Sequence, residues 1–533
     1  MSHRREIYVL LLGALAFAVA YGQAPLYYSN QHQYFLHGLA RAGHGDLDRD
    51  WLANTLDPTP LFTALVATTY RFLPARAFHI YYALLQVIYV FALYGVFAYL
   101  AGERKTPGRQ LAFLAGMSVI HSAFLRWLSF RVLDWDYPWY FQAGVAGQYV
   151  LGSIFQPSTF GVLLIVAVVL GTWDRPFLAV ISACLAAILH TTYLLGAALL
   201  TAAVQCVLWT QGRHRQAILA GLLGLLLAAP VVAFVALTFA PTTPKTFTAA
   251  QDILVRIRIP HHAIVARWLD LIAGLQILWI VLAIFLARGT RLAPLLAIPL
   301  VLGGLLTLIQ LATGSATLAL LFPWRFSAVL VPVATAVVAT RLVLLGGRWL
   351  DSWQASVACV AVMGSLALAG SAMVYWRLGY PTNDRELPLL DYVHAHKQPG
   401  DVYLIPVRIP DLARGPRGSL SSDFRPPQDD QLQKRLIPPD LQRFRLYTGA
   451  PLYVDFKSIP YQDVEVLEWE NRLRWAERMY QGMHSQRWDM VEAELRDRGI
   501  SHVVIPAQLS WPGREPVFAD DLYQVISLRD EIE

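Results

Sequence analysis

The sequence PLFTALVATTYRFL, residues 60–73, is apolar enough to enter a bilayer yet short for crossing one. A spanning helix needs about 20 apolar residues, because the hydrocarbon core is ~30 Å thick and a helix rises about 1.5 Å per residue. These 14 residues also carry Thr63, Thr68, Thr69 and Arg71. If they cross, every later loop changes sides, so their behaviour sets the topology of the whole chain.

The chain around them is polytopic in composition. Of its 533 residues 56% are hydrophobic and 15% charged, with a mean hydropathy of +0.43, too apolar for a soluble globule. Full crossings are expected near 7–22, 78–101, 110–127, 157–172, 216–240, 269–287, 292–312, 324–343 and 354–376, nine in all. The first also fits a cleavable signal peptide, with Arg4 and Arg5 ahead of its apolar core. Residues 177–210 are too few for two complete spans and read as a pair of partial helices turning near His190-Thr191-Thr192-Tyr193.

Charge orients the spans. With 60–73 not crossing and the N-terminus inside, the inner loops collect Arg104, Lys105, Arg109, Arg175, Arg213, Arg215, Arg288, Arg291 and Arg348. That is the positive-inside pattern, and it accounts for the net charge of +6 without nucleic acid as a partner. The outer loops are then 23–77, 128–156, 241–268 and 313–323, joined by a tail of residues 377–533. The reading is an α-helical polytopic membrane protein, with residues 1–376 in the membrane unit and 377–533 in an extracytoplasmic α/β domain. In the tail, 401–407, 451–456 and 502–507 are expected as strands, 463–479 and 488–498 as helices, and 409–439 as a long loop. Cys184, Cys206 and Cys359 all fall in apolar segments and offer neither a disulfide framework nor a zinc spacing.

The outer loops hold the unusual polar chemistry. DLDRD sets Asp46, Asp48 and Asp50 at alternate positions, a spacing suited to a divalent cation such as Mg or Mn at Asp46 and Asp48, or to a carboxylate base at Asp50 or Asp48. A solvated surface loop is the plainer account, but Tyr27, Tyr28, Tyr34 and Phe35 would hold this loop against the membrane. RIRIPHHAIVARW (256–268) gathers Arg256, Arg258, His261, His262 and Arg267 where basic residues are unusual. Guanidinium groups take phosphate in bidentate fashion, and an imidazole can protonate a leaving oxygen; contact with ordinary lipid headgroups is the alternative. In FPWRF (322–326) Arg325 either reaches a phosphate or anchors a helix end. In FRVLDWDYPWYFQ (130–142) Asp134 and Asp136 alternate with rings, which suits a sugar, although an interfacial aromatic belt explains the rings alone. His190 reads either as a histidine bonded to a backbone carbonyl or as a functional group, and Asp455 with Lys457 either as a folded turn or a ligand site.

The acidic first loop with DLD, then Asp57-Pro58-Thr59-Pro60-Leu61-Phe62, the many spans, the partial-helix pair and the outer tail together resemble the GT-C superfamily of integral-membrane glycosyltransferases. The stretches FQPSTFG (155–161), RIPHH (258–262) and TGAPLYVDFKSIPY (448–461) also look like those of uncharacterised polytopic bacterial proteins of similar layout. The likeness to GT-C implies an inverting transferase in a bacterial inner membrane, taking a sugar from a polyprenyl-phosphate donor at the extracytoplasmic face. It implies Asp50 or Asp48 as base, and Arg258, His261, His262 and Arg325 toward the lipid phosphate, with membrane lipid around them. A motif such as WWDYG is missing from the tail. Two other readings stand beside it, a lipid or solute transporter and a membrane-anchored recognition protein.

Overall fold

The computed structural model describes residues 3–380, 384–412, 441–485 and 488–529. Among them six helices are long and apolar enough to cross a membrane: Ala77–Arg104, Thr191–Thr210, His214–Thr238, Leu292–Thr313, Ala316–Leu345 and Trp353–Tyr375. Pro107–His121 and Ala123–Leu133 add a seventh if the pair, bent by 50°, is one span. The expected nine full spans are therefore corrected. Helices do occupy 7–22, 157–172 and 269–287, but Glu6–Tyr21, Pro157–Thr172 and Leu271–Leu286 are shorter apolar segments. The expected 110–127 span breaks at Ser122, whose backbone is extended at ψ 126° and whose hydroxyl caps Leu125 N at 3.5 Å, starting a new helix in a new direction.

The decisive stretch forms a 13-residue helix, Pro60–Phe72, about 18 Å long at ~1.5 Å per residue. Both of its ends touch the same end of the molecule. Leu56 N, just ahead of it, donates to the Glu465 carboxylate of the tail at 3.1 Å. Tyr70, near its finish, bonds His44, whose other ring nitrogen meets Leu446 O of the tail at 2.9 Å. The helix lies along one end of the bundle.

Residues 176–210 make a hairpin of Pro176–Leu189 and Leu194–Thr210, as the sequence suggests. Its second arm is full length and not partial. At the open end Arg213 pairs with Asp174 at 2.5 Å and Arg291 with the same carboxylate at 3.3 Å. Lys105–Glu6 and Arg109–Asp351 join adjoining helices at that end. The bundle thus has an arginine-rich end and a tail-bearing end.

The helix exteriors are apolar. His214–Thr238 exposes Leu222, Leu225, Leu226 and Leu237, and Trp353–Tyr375 carries Trp349 and Trp353 at one end and Tyr375 and Trp376 at the other. Those rings bracket 23 residues, roughly 33 Å of helix, the separation of the two interfaces of a bilayer core.

The tail folds around a four-stranded sheet, β1 (Tyr403–Leu404), β2 (His502–Pro506), β3 (Phe518–Ala519) and β4 (Tyr523–Ser527), in the order β1-β2-β4-β3. β1 and β2 are parallel, and the other pairs antiparallel, with Val504 opposite Val525. Helices Asp463–His484 and Trp488–Asp497 follow the expectation, and Gly499 at φ +71° turns the chain from the second helix toward β2. Residues 451–456 form no strand; only the bridge from Tyr403 to Leu452 is made, because beyond it the carbonyls of Tyr453 and Asp455 accept from side chains, Arg472 and Trp469, in place of a neighbouring strand. Most of the loop expected at 409–439 lies outside the described residues.

The tail is continuous with the bundle. Ala250 and Ile253 share a buried core with Trp469, Leu473 and Val503 of the tail, while Leu446 enters the core of the bundle itself. Gly45 and Gly449, both at positive φ, cross so closely that a Cβ on Gly45 would stand 2.3 Å from Gly449 O, and Asp46 N donates to that same oxygen at 2.8 Å.

Candidate anion site between bundle and tail

Three acids that look alike in the sequence have three environments. Leu47–Arg49 is a 3-10 turn, where successive residues advance by about 120°, so Asp48 and Asp50 leave it on different sides. Asp48 is exposed and Asp46 half-buried. Asp50 is fully buried, and four donors converge on it: Leu52 N at 2.9 Å, Ala53 N at 3.1 Å, Leu452 N at 2.8 Å and Arg445 Nε at 2.6 Å. Arg445 continues to Asp455, whose other oxygen accepts from Ser458 N at 2.7 Å. A carboxylate with its lone pairs so occupied holds the first loop to the tail; in this arrangement it has no room to take a substrate proton. Beside it Trp51 carries the Arg472 guanidinium at 4.2 Å, which also lies over Tyr453 at 4.7 Å.

The basic residues, in contrast, do converge. Arg258 is buried at the end of the 254–258 π-turn; it donates to Lys457 O at 2.7 Å and lies 5.5 Å over Phe456, with its Nε lacking any partner. His261 and His262 follow on a short turn with ring centroids 4.1 Å apart. His262 Nδ1 meets Ala146 O at 2.8 Å, while His261 Nδ1 is buried without a partner. Arg325 lies 5.3 Å over Tyr193 and its Nε is likewise unpartnered. Among the described residues neither Arg258 nor Arg325 has a carboxylate at ion-pair distance.

His190 belongs to this group. At the hairpin tip it is 2% exposed, edge-on to Tyr34 and Tyr193, and neither ring nitrogen has a hydrogen-bond partner. The bond to a backbone carbonyl that would make it an ordinary core histidine is not made. Tyr461 of the tail bonds Tyr34 and Gln33, closing the wall opposite. A small pocket of about 10 Å³, room for roughly one water, is lined by Arg325, Thr192 and Tyr193 together with apolar Leu164, Leu195 and Phe322. Buried donors with no acceptor are rare, because each leaves a desolvation penalty unmet. Here several lie in neighbouring segments whose charges act on one another, and an anion would satisfy such groups.

The electrostatics agree. Burial, with His262, Arg258 and Lys457 beside it, pushes His261 down to about 2, and burial, against the Ala146 carbonyl, brings His262 to about 4. Burial and then Lys457 and Arg443 hold His32 well below the usual imidazole range. All three are neutral at pH 7. Because their folded values are depressed, they contribute stability above the unfolded value of 6.5 that is lost as pH falls from 6.5 toward 4. The unfolding midpoint of the unliganded protein is therefore expected to drop between pH 7.5 and 5, and a His261→Gln, His262→Gln variant to drop less. Equal slopes for both proteins would contradict this.

The remaining sequence candidates lie elsewhere. Asp134 is exposed at the left-handed cap of Ala123–Leu133. Asp136 is buried, one carboxylate oxygen accepting from Arg126 Nε at 2.9 Å and Nη2 at 2.6 Å and the other capping Trp139 N, with Arg126 4.0 Å from the Trp139 ring. Neither forms a sugar platform, because the pairing that buries Asp136 also consumes it. At Asp46 and Asp48 no third His, Cys, Asp or Glu joins the pair: among the described residues no three such side chains cluster in a way that could hold a metal. Sequence reasoning missed Arg445, Tyr461 and His32. Arg445 stands three positions before Thr448 of TGAPLY, and its signal is a basic group within an otherwise apolar tail segment.

A family model described as a domain of unknown function, DUF6798, matches residues 429–476. No curated protein matches the chain. The matched stretch contains Arg445, Asp455, Lys457 and Tyr461, the part of the tail that meets the first loop and Arg258.

Proposed function

We propose that the chain is a multi-pass enzyme of GT-C type in a bacterial inner membrane, transferring a sugar from a polyprenyl-phosphate donor where bundle and tail meet. One observation supports it above the others: Arg258, Arg325, His190 and His261 bring buried, unpartnered nitrogens to one region, and among the described residues neither arginine has a carboxylate at ion-pair distance. A phosphate supplies several acceptor oxygens and negative charge, and the side chains beside Arg325, among them Leu164, Leu195 and Phe322, are apolar, as contact with a lipid carrier requires. The arginine-rich end would face the cytoplasm and the tail the periplasm.

In the reaction, the acceptor oxygen attacks the anomeric carbon from the face opposite the phosphate. The carbon–oxygen bond to the phosphate breaks, and its electron pair leaves with the lipid phosphate, which Arg258, Arg325 and His261 stabilise. With Asp50 committed to Arg445, the acceptor's proton falls to Asp48, whose carboxylate is exposed on the same loop. The core shared by tail and bundle argues against a binding domain hung from an anchor. The test is binding and transfer by the full chain in lipid nanodiscs. Polyprenyl phosphate should bind far more tightly than phosphatidylglycerol, and its glycosylated form should lose sugar to an acceptor fraction. Equal affinity for the two lipids would refute the reading.

A further inference from the structure

We propose that His190 and Thr192, at the tip of the hairpin formed by Pro176–Leu189 and Leu194–Thr210, make a subsite for neutral hydroxyl groups beside Arg325, and that this subsite binds the sugar of the donor. The inference rests on the reading above, that a sugar is taken from a polyprenyl-phosphate carrier. It gives the hairpin tip to the sugar and leaves the phosphate to Arg258, Arg325 and His261.

The tip closes without help from either side chain. His190 N donates to Ala186 O at 2.9 Å, and the His190 carbonyl accepts from Tyr193 N at 2.9 Å, so the backbone makes the turn by itself. The imidazole is buried with both ring nitrogens unpartnered, and two residues on the Thr192 hydroxyl oxygen is buried without a partner as well. Tyr193 fixes where these groups stand. Its hydroxyl donates to Ser158 O at 2.5 Å, the His190 ring meets its ring at a centroid distance of 5.4 Å, and the Arg325 guanidinium lies over that same ring at 5.3 Å. Tyr34 of the first loop meets the imidazole from another side at 5.9 Å. Thr192 and Arg325 line one small pocket. The unmet groups are thus gathered around a single anchored ring.

The kind of unmet atom separates this tip from the arginines. A guanidinium only donates, and phosphate oxygens, which accept, suit it. A buried imidazole with no acid bonded to either nitrogen is neutral, and carries an N–H on one nitrogen and a lone pair on the other. An ionised phosphate satisfies the N–H and leaves the lone pair unmet. A hydroxyl both donates and accepts, so it satisfies either nitrogen, and the Thr192 hydroxyl in the same way. Sugars carry several such groups. The pocket shared by Thr192 and Arg325, about 10 Å³, has room for one water-sized group, so a single hydroxyl enters it while the sugar ring stays outside. A site built to hydrogen-bond a hydroxyl discriminates strongly against a ligand without one, because its own buried polar groups are then left unpaired.

The experiment uses the full chain in nanodiscs and compares polyprenyl phosphate with the same lipid carrying glucose, galactose or mannose. The quantity read is the affinity for the best-bound glycosylated lipid divided by that for the bare one. His190→Phe keeps a ring against Tyr34 and Tyr193 without the nitrogens, and is expected to lower this ratio about tenfold, the scale of a buried hydrogen-bonding group lost, with the unfolding midpoint unchanged or raised. His190→Gln, whose amide both donates and accepts, should restore most of the ratio. Thr192→Val should lower it about threefold or more and Thr192→Ser much less, which keeps the test open if the phenylalanine variant does not fold. Equal weakening of the bare and glycosylated lipids would return His190 to the anion site and overturn the proposal. So would a wild-type ratio in both His190→Phe and Thr192→Val, as expected if the tip holds a resident water only. In either case a wild type that still prefers polyprenyl phosphate to phosphatidylglycerol and transfers sugar leaves the function above standing; a wild type that does neither removes both.

Discussion

Asp50→Asn is expected to release the tail from the bundle. The carboxylate is fully buried and accepts from three backbone N–H groups and from Arg445, a guanidinium that is itself 3% exposed at its side chain. An amide supplies one oxygen where two are used, and its NH2 would face a donor. The Arg445 charge would keep Asp455 as its remaining carboxylate. Removing one partner of a buried ion pair costs about 3–5 kcal/mol, comparable with the stability of an ordinary domain, roughly 5–15 kcal/mol. Trypsin should therefore cut the variant's tail under conditions that leave the wild type intact, and its unfolding midpoint should fall. Transfer activity would be lost along with docking. Loss of transfer with an unchanged midpoint and unchanged cleavage would instead make Asp50 a chemical participant, as its place in DLDRD first suggests.

That contrast shows which parts of the molecule could be read from the chain alone. Helices at Pro60–Phe72 and in both arms of the 176–210 hairpin follow from length and composition, because helix formation depends on local free energies, although the length argument made the second arm partial where it is full length. The exact lengths did not follow: Ser122 breaks an apolar run by capping a new helix, and Asp270 delays another by capping at Ala273 N. Pairing is a different problem. Asp50 and Arg445 are 395 residues apart and Arg258 and Lys457 199, and nothing in either neighbourhood marks its partner. The DxD spacing misled for a local reason. Alternation places acids on one face of a strand, whereas the 3-10 turn at Leu47–Arg49 sends one outward and one into the core. The basic loop 256–268 fared better, since charge that the topology does not require has to be explained by something near it, and the fold brings Arg325 and His190 to its side.

Arg325→Met is expected to weaken polyprenyl-phosphate binding by roughly 30-fold or more while leaving the fold as stable as before, or more so. The two signs differ because the arginine does different work in the two states. Without ligand its Nε is buried with no acceptor and no carboxylate among the described residues pairs with it, while its guanidinium lies 5.3 Å over the Tyr193 ring and within hydrogen-bond reach of that side chain. Such a cation is a liability, and an apolar side chain of similar length relieves the unmet desolvation beside Leu164 and Phe322. With a phosphate bound, the same guanidinium makes charge-assisted hydrogen bonds in a dry setting, where losing one partner costs about 2–5 kcal/mol. A helix-end anchor would behave in the opposite way, lowering the midpoint and sparing the affinity. Measuring both quantities on one preparation separates the cases: a fallen midpoint with unaltered binding would place Arg325 among the structural residues and leave Arg258 and His261 to carry the anion site.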